Sequence, residues 1–181
     1  MTNIKEQEAL HNGALVKPEA FAMKYRKAII IAVAAIIIAV VGGFLYQAYV
    51  AQPREDKAST ALAKGQEYFD AEQFDKALKG DGTGYMGLLN IINDYSSTDA
   101  ANLANLYAGL CYANLNKWND AVKYLDAYSP ADDAMVSPAA IAALGNAYAH
   151  INQLDKAIDN LEKAAEMADK QAKDGANNSI A

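Results

Sequence analysis

A single cysteine, Cys111, stands in the 181 residues, so no disulfide forms within the chain and no cysteine-based metal site is available. Histidine is nearly as scarce. His11 lies near the N-terminus and His150 far from it, and neither has a second histidine or a cysteine as partner. That leaves no histidine- or cysteine-based donor set for metal-assisted or triad chemistry. There are only four prolines, and Val and Thr are sparse beyond residue 50 while alanine is abundant. No segment alternates with the period of a strand. These absences point to an all-α protein. The charges leave one further gap, because nothing between Lys27 and Arg54 is charged.

The gap is filled by AIIIAVAAIIIAVVGGFLY, Ala28 to Tyr46, 19 residues long. At 1.5 Å per residue a helix of that length spans roughly 28 Å, close to the hydrocarbon thickness of a bilayer. β-Branched residues form helices poorly in water. In lipid the backbone has no other partner for its polar groups, and the helix wins. The run is longer than the apolar core of a cleaved signal, and Tyr46 and Tyr49 fill the positions where such a site needs small residues. The reading is therefore an uncleaved anchor over residues 28–50. Lys17, Lys24, Arg26 and Lys27 outweigh the far flank, where Arg54 and Lys57 are offset by Glu55 and Asp56. The positive-inside rule then makes residues 1–27 a cytoplasmic tail and sets residues from about 52 onward in the periplasm or exterior.

Ala28, Ala32, Ala35, Ala39 and Gly42 recur at spacings of four and three, forming a seam of small residues along the span. Such seams let transmembrane helices approach closely. Alanine and glycine are also simply common in these helices, and both readings stand.

Net charge is −6 but unevenly spread: residues 1–27 carry five basic and three acidic groups, residues 52–181 eleven basic and nineteen acidic. An acidic domain repels phosphate backbones, which argues against nucleic-acid binding.

Beyond the span the chain repeats itself. In AGLCYANLNKWNDAVKYLDA and LGNAYAHINQLDKAIDNLEKA, Gly109 matches Gly145, Tyr112 matches Tyr148, Ala121 matches Ala157 and Leu125 matches Leu161, each 36 residues apart. Gly65, Tyr68, Phe74 and Ala77 precede Gly109, Tyr112, Trp118 and Ala121 by 44. A fixed period in this range marks stacked helical units. Glycine inside a helix costs roughly 1 kcal/mol against alanine, so Gly145 and Ala157 are expected where the two helices of a hairpin touch. The eight extra residues of the first unit fall in a stretch broken by Gly80, Gly82 and Gly84. An amphipathic helix from about Tyr85 to Tyr95 should follow, with Leu88, Leu89, Ile92 and Tyr95 on one stripe. Thr98 or Asp99 suits the cap of the next helix, and Pro138 marks the start of a later one.

These residues resemble the tetratricopeptide repeat. Gly109, Tyr112, Trp118, Ala121 and Leu125 supply one unit; Leu144, Gly145, Tyr148, Leu154, Ala157, Leu161 and Ala164 supply the next. Ala108 and Tyr128 depart from the pattern, and the first unit departs further. The resemblance covers about residues 58–172. It implies a domain over 54–181 with repeats at about 58–95, 102–130 and 138–172. The order of short tail, one span and glycine-broken repeat domain is also similar to the membrane-anchored ancillary subunit family of the bacterial Sec translocon. That resemblance implies a single-pass protein of the bacterial inner membrane, its repeat domain periplasmic, linking the translocon to periplasmic chaperones. The chain ends without a dedicated capping helix, so either the third repeat caps itself or the chain is a fragment.

Little here suggests catalysis, metal or cofactor. GDGTG at Gly80 lacks the lysine and hydroxyl of a phosphate loop, and no strand precedes it. Trp118 shares a repeat slot with Phe74 and Leu154 and is assigned to the core, as is Cys111 beside Leu110. In stacked hairpins the first helices line a concave groove. Carried onto this chain, the groove positions are Leu62, Gln66 and Phe69, then Leu103, Leu106, Leu110 and Asn114, then Ala142, Asn146, Ala149 and His150. Such a groove suits a helix or extended apolar segment of a partner protein. The alternative is that Leu103 and Leu106 pack against the insert helix, which plugs it. A second functional class also remains open: a self-associating envelope protein that oligomerises through the alanine seam and binds no client.

Overall fold

The computed structural model describes residues 18–133 and 135–178. His11 and Lys17 lie outside the described residues, as does the side chain of Ala28. Among the described residues every regular element is helical, and the chain divides into two compact units after Val50.

In the first unit, α1 (Pro18–Tyr46) carries the apolar run and is followed by a π-helical turn, Gln47–Ala51. From Ile29 to Val50 every residue is exposed. Ile31 and Ile38 on one side of the axis and Val40 and Phe44 on the opposite side are all more than half exposed. A helix apolar on all sides is covered either by a large core or by lipid. Among the described residues nothing covers this one, and it is long and apolar enough to cross a membrane. The π-type turn stands just before Pro53, whose missing N–H and ring crowding disfavour a regular α-turn.

The second unit holds α2 (Gln52–Asp70), α3 (Phe74–Lys79), α4 (Leu88–Asp94), α5 (Asp99–Asn114), α6 (Trp118–Ala127), α7 (Val136–His150) and α8 (Leu154–Asn178). α2 pairs with α3, α5 with α6, and α7 with α8. The three connecting turns share one geometry. Glu72, Asn116 and Asn152 adopt left-handed φ of 57°, 58° and 60°. In each turn that residue's N–H donates to the carbonyl three back: Phe69 at 2.9 Å, Ala113 at 2.9 Å and Ala149 at 3.0 Å. The next N–H donates to the repeat tyrosine's carbonyl: Tyr68 at 2.9 Å, Tyr112 at 2.9 Å and Tyr148 at 3.0 Å. This is a Schellman termination, which satisfies carbonyls that the helix end would leave unpaired. The three turns stand 44 and 36 residues apart, the spacings of the sequence echo.

The core has two lobes that meet on α5. One face of that helix, Ala100, Ala104, Ala108 and Cys111, closes against Ala58, Leu62, Ala77, Leu78, Leu88 and Ile91. The other, centred on Leu106, joins Ala121, Leu125, Ala140, Leu144, Tyr148 and Ala157. Small residues on both faces let neighbouring helices sit close, and Leu103 touches both lobes. Cys111 is fully buried, as expected, and burial pushes its thiol up to about 12.

The insert helix differs from the expected Tyr85–Tyr95. It starts at Leu88, because Gly87 at φ 90° and Gly80 at φ 94° hold the preceding segment in a tight loop. A β-carbon on Gly87 would lie 2.5 Å from the Leu78 carbonyl oxygen, so the backbones approach too closely for any side chain. Its buried residues are Leu88 and Ile91, with Leu89, Ile92 and Tyr95 only partly covered. α7 begins at Val136, ahead of Pro138, because Asp133 accepts from the backbone of Met135, Val136 and Ser137.

Thr98 caps α5, its hydroxyl accepting from Ala101 N at 3.1 Å. A second cap arrives from α2. The Glu55 carboxylate accepts from Asp99 N at 2.8 Å and Ala100 N at 2.9 Å, and the adjacent Arg54 donates to the Asp94 carbonyl at 2.6 Å. A carboxylate at a helix N-terminus satisfies orphan amides and complements the helix dipole.

Candidate interaction surfaces

The repeat glycines sit where helices touch. A β-carbon on Gly109 would fall 2.5 Å from Cγ of Leu125; on Gly145 it would fall 2.9 Å from Cγ of Leu161 and 3.1 Å from the Ala157 carbonyl oxygen. Each glycine of the second and third hairpins thus receives the matching leucine of its partner helix. In the first hairpin α3 is too short to provide one, and the position 44 residues before Leu125 is Asp81. Tyr85 of the insert takes the vacant space: its hydroxyl would stand 2.5 Å from a β-carbon on Gly65 and donates to the Ala77 carbonyl at 2.8 Å.

Asp81 holds that insert in place. It accepts from the Tyr68 hydroxyl at 2.7 Å, Thr83 N at 2.8 Å and Tyr85 N at 3.0 Å. The Tyr68 bond, followed by the two amides, holds its carboxyl well below the usual carboxylate range. The same bond raises the Tyr68 phenol. The GDGTG stretch is therefore a braced corner of the fold.

The expected groove residues divide by burial. Leu62 is 5% exposed and Leu106 is 7% exposed, and each belongs to a core lobe. Neither is on a surface that a partner reaches. Phe69 is half-buried between Phe74 and Tyr107, with ring centroids 5.7 and 5.3 Å away, while Gln66 is partly exposed on α2. Leu103, Leu110 and Ala142 are partly covered. Asn114, Asn146, Ala149 and His150 are exposed, Asn114 donating back to the Leu110 carbonyl at 2.9 Å. The accessible members thus lie on α5 and α7, toward the ends that lead into the turns. The insert helix packs on α5 through the opposite face, with Leu88 and Ile91 against the Ala100, Ala104 and Ala108 row.

Between those turns is a corner that sequence reasoning missed. Trp118 stacks on His150 with ring centroids 3.6 Å apart and planes 1° from parallel. The pair borders a cavity of about 610 Å³ lined by Asn116, Lys117, Asn119, Asp120, Ile151 and Asn152. Trp118 was expected in the core, and it does pack on the second lobe. Its ring is only partly covered because it closes the end of a hairpin whose neighbour there is the exposed His150. The 32-residue gap between the two rings offers no local signal; only the repeat register places them side by side.

In the first unit Ala32, Ala35, Ala39 and Gly42 are exposed, and a β-carbon on Gly42 would meet nothing within 4 Å. The seam is open along α1.

No family model, no curated protein and no solved structure matches this chain.

Proposed function

We propose that the chain is a membrane-anchored scaffold for protein–protein contacts, built as tetratricopeptide-like hairpins behind a single N-in span. The observation that carries this reading is the set of three matching Schellman turns, at Glu72, Asn116 and Asn152, downstream of a helix whose apolar run is uncharged from Ala28 on. Stacked hairpins of this kind hold partners on surfaces assembled from successive units and need no catalytic group. The accessible surface of α5 and α7, with Leu110, Asn114, Asn146 and His150, supports partner binding through a mixed apolar and amide face. The basic flank before Ala28 favours a cytoplasmic tail, and so a repeat domain on the periplasmic side of a bacterial inner membrane. The resemblance to the ancillary Sec subunit family makes translocon subunits and periplasmic chaperones the first partners to test.

The test is purification of tagged full-length protein from its native membranes in mild detergent, with partners identified by mass spectrometry. A parallel sample carries Asn146→Glu, on an exposed position. The scaffold reading expects translocon subunits or chaperones to co-purify, with the soluble partners lost from the variant. Recovery of the protein alone from both samples sinks it and leaves self-association. In that case Ala35→Leu with Ala39→Leu should break the oligomer.

A further inference from the structure

α8 packs on α7 and, among the described residues, on no other helix. Its buried line is Ala157 and Ala164. A second apolar line runs beside it: Leu154 is 56% exposed, Ile158 54% and Leu161 40%. Ala165, Ala168 and Ala172 extend that line along the same side. In the preceding hairpin the matching positions, 36 residues earlier, are Trp118, Val122 and Leu125. There Leu125 is 3% exposed and the other two are partly covered, because α7 lies over them. The exposed stripe of α8 is thus a face that elsewhere in this fold is covered by a helix.

The shoulder of the stripe gives the charge of what covers it. Asp155, Asp159, Glu162, Glu166 and Asp169 run along the side away from α7. Only Asp169 is in an ion pair among the described residues, with Lys173 at 2.6 Å. The corresponding shoulder of α6 reads Asn119, Lys123 and Asp126 and is not acidic overall. A second copy of the chain is a poor match. Antiparallel pairing of two α8 helices sets acidic shoulder against acidic shoulder. Parallel pairing sets it against α7, whose only basic group is His150.

We propose that the outer face of α8 docks a helix of another protein, one with an apolar i, i+3, i+4, i+7 stripe bordered by Lys or Arg. Apolar contact with Leu154, Ile158 and Leu161 would supply affinity, and the acidic row would set orientation and choice of partner. The site is separate from the α5 and α7 surface, so it stands or falls independently of that one.

The test uses the full chain in nanodiscs of zwitterionic lipid, with empty discs as the blank. Three labelled 18-residue peptides are titrated by fluorescence anisotropy. One is a leucine-striped helix with lysine shoulders, one has glutamate in place of lysine, and one is the lysine peptide shuffled. The lysine peptide is expected to bind about tenfold or more tighter than the other two, and Ile158→Asp to weaken it by about tenfold, the loss typical of one interface anchor. Asp155→Lys with Glu162→Lys should transfer the preference to the glutamate peptide. All three positions are exposed, so unchanged circular dichroism is expected of each variant. Equal binding of lysine and glutamate peptides, or binding indifferent to Ile158→Asp, overturns the proposal. So does a dimer in light scattering that Ile158→Asp dissolves, since a second copy then covers the stripe.

Discussion

Gly109 and Leu125 are in contact with no room between them: a β-carbon on Gly109 would lie 2.5 Å from Leu125 Cγ and 3.0 Å from Leu125 N. The leucine is buried and the nearest backbone cannot retreat, so Gly109→Ala forces α5 and α6 apart. Overpacking of this kind costs about 1–3 kcal/mol, against roughly 1 kcal/mol gained in helix propensity. A net loss of up to about 2 kcal/mol is expected. Gly145 has the same neighbours in kind, but Leu161 is 40% exposed and free to turn outward. Gly145→Ala should fall within about 1 kcal/mol of the parent. Urea unfolding of both variants, followed by circular dichroism, checks the order; equal losses would contradict it.

Glu72 is the one residue of the three turns whose type does not suit its conformation. A left-handed φ costs an ordinary L-residue about 1–2 kcal/mol, whereas asparagine tolerates it. Asn116 and Asn152 meet that requirement and Glu72 does not. Its side chain is exposed, and no hydrogen bond of that side chain is at stake. Glu72→Gly should therefore stabilise by about 0.5–1 kcal/mol once the greater freedom of unfolded glycine is counted. Asn116→Gly is the control and should change little. The readout is the shift in thermal midpoint of the two variants side by side.

The helical class and the long apolar helix were legible in the sequence, the first in its lack of strand-period segments and the second in its unbroken hydropathy. The contact of Gly145 with the Ala157 carbonyl followed from the 36-residue echo. What escaped lay in non-periodic contacts. Nothing local announces that Tyr85 fills the space owed to a leucine at position 81, or that Trp118 meets His150. Burial of Leu106 was hidden because α6 and α7 close its face of α5, and burial of Leu62 because the insert and α5 close over α2, so apolar residues assigned to a groove became core. The exposure of Leu154 and Leu161 was hidden for the converse reason. Their slots match buried ones, but among the described residues no helix lies over them.

Asp81 gives the domain a pH dependence on the acid side. Its carboxyl is held below the usual range by the Tyr68 hydroxyl first and the Thr83 and Tyr85 amides next. In the unfolded chain an aspartate titrates at about 3.9. A depressed folded value means that the charged form is favoured by the fold. The stabilisation is fully present above that unfolded value and is lost as pH falls toward the folded one. Asp81→Asn removes the charge and should lower the thermal midpoint at pH 7. The gap between parent and variant should narrow steadily as the pH is taken below about 4. A gap that stays constant from pH 7 to pH 3 would show that the carboxylate charge contributes nothing there.

Glu55 ties α2 to the first turn of α5. It reaches from α2 to Asp99 N and Ala100 N of α5, while Ser59 donates to the same carboxylate at 3.2 Å. Loss of an N-terminal cap costs about 0.5–2 kcal/mol, and Thr98 still serves Ala101 N after Glu55 is gone. Glu55→Ala is therefore expected to cost about 1 kcal/mol. Glu55→Gln keeps an acceptor but not the charge that complements the helix dipole, and should fall between the two. Hydrogen exchange at Asp99 and Ala100 separates a cap from a general loss of stability. Those two amides should lose protection in Glu55→Ala well beyond the change seen at Leu106 in the middle of the same helix. If protection falls equally along α5, the carboxylate acts on the whole unit and not on its first turn.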